Sequence, residues 1–181
     1  MSRPWLVVLF LFSVASNANP QPSQDPIRVA CVGNSVTFGA GLKDPSLESY
    51  PAQLQKLLGD RFVVSNFGVS GTTLLQSGHR PYTKTQAFRD ALAYNAEVTI
   101  IHLGLNDTDP RNWPNYRDKF AADYAWLIDT LRKTNPKMRV YVCRLTPIFS
   151  GHPRFKSGTR DWFWQIQELI PEIAKSNGAG L

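Results

Sequence analysis

The sequence predicts an α/β domain with a doubly wound parallel sheet. Short apolar runs alternate with segments of helical periodicity from residue 27 onwards, and this alternation is typical of βαβ units with right-handed crossovers. The runs are continuously apolar, as expected of strands covered on both faces. Three of them end in turns rich in glycine, serine or asparagine. Such turns would lie at the carboxyl edge of the sheet, where α/β proteins keep their sites.

Composition and charge fit one globular domain. The chain has 181 residues, of which 43% are hydrophobic and 19% are charged, enough for a single core without a bias towards disorder. The net charge is +6, but the basic residues are spread over separate elements, so nucleic-acid binding is not expected. A solvated basic exterior explains the charge best, and an anionic substrate or an acidic partner is the alternative.

Residues 1–18 have the pattern of a cleavable signal peptide: a basic start, an apolar run over 5–14 and small residues up to Ala18. The apolar run is too short to span a bilayer as a stable helix. We therefore expect cleavage near Ala18, a linker over 19–26 and a domain over 27–181. The protein would be exported, secreted or periplasmic, without stable membrane insertion once the signal is removed. An uncleaved anchor is the weaker alternative.

The first half of the domain contains two predicted strands and two helices. Ser49 and Pro51 are residue types of a helix N-cap and first turn, and Gly59 is a helix stop. The predicted elements are a strand over Ile27–Val32, a helix from Ser49 to Gly59, a strand over Phe62–Phe67, a polar loop over 74–84 and a helix over Gln86–Tyr94.

The second half contains two more strands, over Val98–Leu103 and Arg139–Leu145, and the two longest helices. The first of these helices covers Tyr116–Lys133 and the second ends at Asn177–Gly178, with Pro171 expected to kink it or to begin a second piece. Both helices carry an apolar face, formed by Phe120, Tyr124, Leu127, Ile128 and Leu131 in the first and by Trp162, Phe163, Ile166, Leu169, Ile170 and Ile173 in the second.

The last three residues and the two cysteines give two further predictions. Ala179–Leu181 has the character of the first step of a fifth strand, so the domain is expected to be truncated before that strand. Cys31 and Cys143 fall in the first and fourth strands. In a sheet of order 2-1-3-4-5 they would be roughly 10 Å apart, beyond disulfide reach. We expect two free thiols that pack as small apolar groups.

The turns after the first three strands carry groups suited to acyl transfer. The first turn supplies Ser35 within Gly33–Gly41, the second supplies Gly71 within Gly68–Thr73, and the third supplies Asn106. Acyl transfer needs a nucleophile together with hydrogen-bond donors aimed at the developing oxyanion. A glycine N–H can approach a substrate closely, and an asparagine amide donates without adding charge. Each residue alone has an ordinary structural explanation as a cap or turn former, but their joint occurrence favours a site.

The three turns resemble the first three blocks of the SGNH (GDSL-type) hydrolase family, in the order that the family has them. They read Gly-Asn-Ser-Val-Thr from residue 33, Val-Ser-Gly from residue 69 and Gly-Leu-Asn-Asp from residue 104. The resemblance covers about residues 27–181. It implies a flavodoxin-like three-layer α/β/α sandwich and a serine esterase, lipase or carbohydrate O-deacetylase without metal or cofactor. The segment 106–113 further resembles the sialate O-acetylesterase-like branch.

Carried over to this chain, the resemblance makes Ser35 the nucleophile. Its own N–H, the N–H of Gly71 and the side chain of Asn106 would form the oxyanion hole. Asn34 and Asp107, beside these residues, are assigned to substrate binding. The substrate would be a small-molecule or carbohydrate ester, most specifically an O-acetylated carbohydrate.

Two departures from the family pattern concern Asn34 and the catalytic base. Asn34 replaces the usual aspartate, a change that keeps a turn former at this position. The family's base is a histidine in an Asp-x-x-His motif after the fifth strand, and this sequence ends before that point. His102 lies inside a strand and is expected to be a core residue, whereas His79 and His152 lie in loops and are expected to be solvated.

Two alternatives remain at this stage. The first is that the chain is a catalytically inactive carbohydrate-binding relic of the same fold, because the histidine base is missing. A flavin- or nucleotide-binding module is the more distant alternative. The Gly33–Gly41 turn lacks both the lysine of a phosphate-binding loop and the spacing of a dinucleotide-binding loop. The turn also differs from the Gly-x-Ser-x-Gly nucleophile elbow of α/β-hydrolases, because Thr37 occupies the position of the second glycine in that motif.

Overall fold

A parallel sheet of four strands forms the centre of the molecule. The computed structural model describes residues 25–148 and 159–181, so the predicted signal peptide, most of the linker and His152 lie outside the described residues. The strand order is β2-β1-β3-β4, which confirms the predicted order for these strands. The strands are β1 Ile27–Gly33, β2 Phe62–Gly68, β3 Val98–His102 and β4 Arg139–Val142.

Seven α-helices in the described ranges connect and cover the strands. They are α1 Ser35–Phe38, α2 Pro45–Glu48, α3 Tyr50–Leu58, α4 Gln86–Tyr94, α5 Trp113–Tyr116, α6 Phe120–Thr134 and α7 Thr159–Ser176. Short 3-10 turns lie at Gly59–Arg61, Tyr82–Lys84, Asn106–Thr108 and Arg117–Lys119. The predicted helix over 116–133 is thus divided by a 3-10 turn, and its main part begins at Phe120.

The two faces of the sheet differ in how completely they are covered. Successive side chains of a strand point to opposite faces, so Ala30 and Val32 face the main core, and Val29 and Cys31 face the other side. Among the described residues, the main core has 25 buried members, drawn largely from the sheet, α4, α6 and α7, whereas the second cluster has three. On this second face α3 packs beside an apolar groove of about 420 Å³.

Several details differ from the predicted elements. β3 ends at His102 and β4 at Val142, so both strands are shorter than predicted. The loop over 74–84 is less polar than expected, since Leu74, Leu75 and Tyr82 are buried in the main core. The helix over 159–176 continues through Pro171 without division, so the expected second piece does not exist.

The last residues lie where a fifth strand is expected. Gly180 pairs in parallel with Tyr141, its N–H donating to Val140 O at 2.9 Å and its carbonyl accepting from Val142 N at 2.8 Å. Both cysteines are free, as predicted, with Cys31 buried and Cys143 half-buried just beyond β4. Within the described ranges, no helix has the length and apolarity needed to cross a membrane.

Candidate active site

The turn that carries Ser35 is fixed by close contacts at the carboxyl edge of the sheet. Gly33 pairs with Gly68 on one side and with His102 on the other, so the ends of three strands lie side by side. Asn34 N–H donates to His102 O at 3.3 Å, and Val69 N–H donates to Gly33 O at 2.9 Å. These bonds bring the three predicted turns to one edge, as the sequence analysis expected.

Ser35 is the first residue of α1. Asn34 caps this short helix, because its side-chain oxygen accepts from Val36 N at 3.0 Å. A Cβ on Gly68 would collide with the backbone of Phe38, so the glycine allows α1 to sit directly against the end of β2. Ser35 itself is half-buried. The sequence therefore presents one partly exposed hydroxyl at a rigid strand-to-helix turn.

Gly71 lies in the loop after β2 with a φ of +80°, a backbone conformation that side-chain-bearing residues rarely adopt. Thr72 follows it, and its hydroxyl donates to Val69 O at 2.8 Å. Asn106 reaches this loop from the end of β3, because its Nδ2 donates to Thr72 O at 2.8 Å. The amide of Asn106 and the N–H of Gly71 are thus brought to the same loop by a direct hydrogen bond to the next residue.

Asp107 anchors the continuation of this loop. Its two carboxylate oxygens accept from Leu74 N at 2.9 Å and from Leu75 N at 2.8 Å, and its side chain is completely buried. Asp123 of α6 accepts from the next amide, Gln76 N, at 2.9 Å. Burial raises the pKa of Asp107 to about 6, although the two backbone N–H groups oppose the shift. Two carboxylates therefore hold three consecutive amides of the loop that carries Gly71.

Asn34 and Asp107 support the backbone of the turns around the site. Both were expected to contact substrate, but both are completely buried. Their side-chain oxygens accept hydrogen bonds from the backbone of neighbouring turns. We therefore propose that both residues position the turns, and their contact with substrate stays a prediction. The turn-forming character of both residue types is the signal that favours this role.

Asn112 is a positioning residue that the sequence analysis did not single out. It is completely buried, its Nδ2 donates to Asn106 O at 2.9 Å, and its Oδ1 accepts from His79 N at 3.0 Å. Asn112 therefore joins the turn of Asn106 to the loop after β2. Its neighbour Trp113 is also buried and donates from Nε1 to Gln165 of α7 at 2.7 Å. Asn112 lies in the segment 106–113 that carries the finer resemblance, and that placement is the signal that could have found it.

His102 is buried and His79 is exposed, as expected from the sequence. His102 is buried, so desolvation lowers the pKa of its imidazole, and no described group hydrogen-bonds either ring nitrogen. His79 is exposed, and its Nδ1 lies 3.1 Å from Asn112 Nδ2. Within residues 25–148 and 159–181 no side chain hydrogen-bonds the hydroxyl of Ser35.

Comparison with known proteins agrees with this fold. The sequence model of the GDSL-like lipase/acylhydrolase family matches residues 31–181. An acetylxylan esterase of Xylanibacter ruminicola is 48% identical over 113 residues, which are 62% of this chain and 23% of that relative. The chain thus spans less than a quarter of the length of this curated relative.

Two solved structures illustrate the likeness in fold. A family two carbohydrate esterase from Clostridium thermocellum, solved in complex with cellohexaose, has a TM-score of 0.62 at 20% identity, covering 84% of this chain and 51% of that one. AlinE4, a SGNH-hydrolase family esterase, has a TM-score of 0.59 at 21% identity, covering 87% of this chain and 76% of that one. With a three-layer α/β/α architecture and a family match over most of its length, the chain belongs to the GDSL-like lipase/acylhydrolase, or SGNH hydrolase, family.

Proposed function

We propose that this protein is an exported serine esterase that removes acetyl groups from a carbohydrate, with Ser35 as nucleophile. The observation that carries the proposal is the meeting of three turns at one sheet edge. The hydrogen bond from Asn106 to Thr72 O, at 2.8 Å, ties the third turn to the loop of Gly71. The name of the Xylanibacter ruminicola relative supports an acetylated polysaccharide as the substrate.

In this mechanism the Ser35 oxygen attacks the carbonyl carbon of the acetyl ester. The N–H groups of Ser35 and Gly71 and the amide of Asn106 donate to the oxygen that becomes negatively charged. The bond between the carbonyl carbon and the sugar oxygen breaks, and this oxygen takes up the proton released by Ser35 and leaves as a hydroxyl group. Water then hydrolyses the acetyl-serine ester to acetate and free serine. The buried supports act before the reaction, because they hold the donors in place without reorganisation.

The test is acetate release from acetylated xylo-oligosaccharides by the protein purified as the product of its native reading frame. We expect turnover by the natural protein and a loss of at least about a thousandfold in Ser35→Ala, as for removal of a serine nucleophile. Ser46→Ala is the matched control, because Ser46 is an exposed serine of α2 outside the site. A Ser35→Ala variant as active as the Ser46→Ala control would refute the nucleophile. Binding of the oligosaccharides without any turnover by the natural protein would instead support the inactive carbohydrate-binding relic.

A further inference from the structure

The loop after β2 places a cation beside Gly71 of the candidate oxyanion hole. A Cβ built on Gly71 would lie 3.1 Å from Arg80 Nη1 and 3.9 Å from Arg80 Cδ, so the guanidinium lies over this glycine. The backbone of Arg80 is fixed as well, because Thr73 N donates to Arg80 O at 2.9 Å and Tyr82 N donates to Thr73 O at 2.9 Å. The fold therefore sets the place of this arginine.

The charge of Arg80 is unpaired among the residues that the structure describes. Asp109 pairs instead with Arg111, at 2.8 Å. Nη2 of Arg111 lies 3.3 Å from Nε2 of His79, which adds a second arginine to the same edge of the site. Within residues 25–148 and 159–181 no group forms an ion pair or hydrogen bond with the side chain of Arg80, and this side chain is exposed. Its donors are accessible to a ligand.

We propose that Arg80 is a specificity-determining residue that binds a carboxylate of the substrate. The substrate class is then an acetylated carbohydrate that bears an acidic sugar, such as a uronic acid. A guanidinium holds a carboxylate through two parallel N–H bonds. From its place over Gly71, Arg80 can hold a neighbouring acidic sugar while the ester carbonyl enters the oxyanion hole. This inference rests on the proposed function, because it names the substrate of the same site.

Two further observations favour a substrate carboxylate over the oxyanion as the partner of Arg80. Arg80 is exposed, and water weakens the field of an exposed charge at a distance. Direct contact with a ligand is the arrangement in which such a charge acts most strongly. The protein also carries a net charge of +6, which favours the approach of an anionic carbohydrate.

The experiment compares acetylated xylo-oligosaccharides that carry a glucuronic acid branch with the same oligosaccharides after reduction of the carboxyl group to an alcohol. For the protein purified from its native reading frame, we expect a preference of roughly tenfold in kcat/KM for the acidic form, expressed mainly in KM, as for one hydrogen bond to a charged group. Arg80→Gln should abolish the preference, and Arg80→Lys should retain part of it. Arg61→Gln is the matched control, since Arg61 precedes β2 at the end far from Gly68 and is also exposed.

Each outcome decides one of the two claims. Equal hydrolysis of both forms by the natural protein would overturn the role of Arg80 and leave the esterase standing. Equal losses on both forms in Arg80→Gln would also overturn this role. Dissociation constants measured with the Ser35→Ala variant give a second readout that needs no turnover. If the natural protein hydrolyses neither form, the esterase proposal fails. Tighter binding of the acidic form that is lost on adding Arg80→Gln would still support carboxylate binding by Arg80. Equal binding of both forms would overturn that role as well.

Discussion

The inner supports of the site and its outer rim are built from similar residues with opposite surroundings. The inner supports Asn34, Asp107 and Asn112 are completely buried and bind the backbone of neighbouring turns. The outer rim, formed by His79, Arg80, Asp109 and Arg111, faces solvent or lies half-buried. Polar residues that share a loop can therefore do different work. The buried ones hold the backbone of the turns, and the exposed ones are accessible to a ligand.

Asp107 and Asp109 show this contrast within two residues. Burial raises the pKa of Asp107 to about 6, whereas hydrogen bonds from Arg111 lower the pKa of Asp109 to about 2. The first carboxylate lies under the loop of Gly71 and the second lies at the surface. The two aspartates therefore differ in burial and in hydrogen-bond partners, and their opposite pKa shifts can be used to measure this difference.

Among the changes that test this contrast, the largest effect is expected on kcat when Asn106 is replaced. Asn106 is the inner residue that we assign to direct contact with the reacting ester. Asn106→Ala should lower kcat by roughly a hundred- to a thousandfold, as for the loss of one oxyanion donor. KM should change little, because the donor acts mainly in the transition state. Steady-state kinetics on an acetylated oligosaccharide would measure both constants. An unchanged kcat would remove Asn106 from the oxyanion hole.

The next effect is expected on stability. Asp107→Ala leaves the buried N–H groups of Leu74 and Leu75 without their acceptor, and it should lower the free energy of unfolding by about 2 kcal/mol or more. Asp109→Ala, the control on the rim, should cost at most about 1 kcal/mol because its pair is exposed. Urea unfolding at pH 7 measures both values. Equal changes in the free energy of unfolding in the two variants would contradict the distinction between the inner supports and the outer rim.

The pH dependence of stability should also separate the two aspartates. The pKa of Asp107 is raised on folding, so its stabilising contribution is complete below about pH 4 and is lost as the pH rises through 6. The pKa of Asp109 is lowered, so its contribution is present above about pH 4 and is lost as the pH falls towards 2.

Urea midpoints from pH 2 to pH 7 test this for the natural protein and for Asp107→Asn and Asp109→Asn. The stability of the natural protein relative to Asp107→Asn should increase on acidification from pH 6 to pH 4. Relative to Asp109→Asn it should decrease below pH 4. Two difference curves of the same sign would contradict the contrast.

The smallest effect is expected at Arg111. Arg111→Ala removes an exposed pair with Asp109, and because water screens such a pair the free energy of unfolding should change very little. Asn112→Ala provides the matched inner change, because it removes a buried donor to Asn106 O and the acceptor of the His79 N–H. We expect Asn112→Ala to lower kcat several times more than Arg111→Ala does. The reverse order would place the important contacts on the rim.

The sheet and the three turns could be predicted from the sequence because the signals for them are local. A continuous apolar run and the glycine or asparagine that follows it are neighbours along the chain, and the parallel topology then brings the turns together. The supports depend on contacts across the fold. Asp107 meets amides 32 and 33 residues away, and Arg80 lies on Gly71 only because the loop closes through Thr73. Asn34 is a turn former by residue type, but only the folded chain shows that it is completely buried.

The central claim is that Ser35 is the nucleophile held at this edge, and covalent labelling tests it most directly. The protein purified from its native reading frame would be treated with a fluorophosphonate, and the modified peptide would be identified by mass spectrometry. We predict a single label on Ser35, which is lost in Ser35→Ala and weakened in Asn106→Ala. A label on another serine, or one that survives Ser35→Ala, would contradict the assignment of this turn as the catalytic centre.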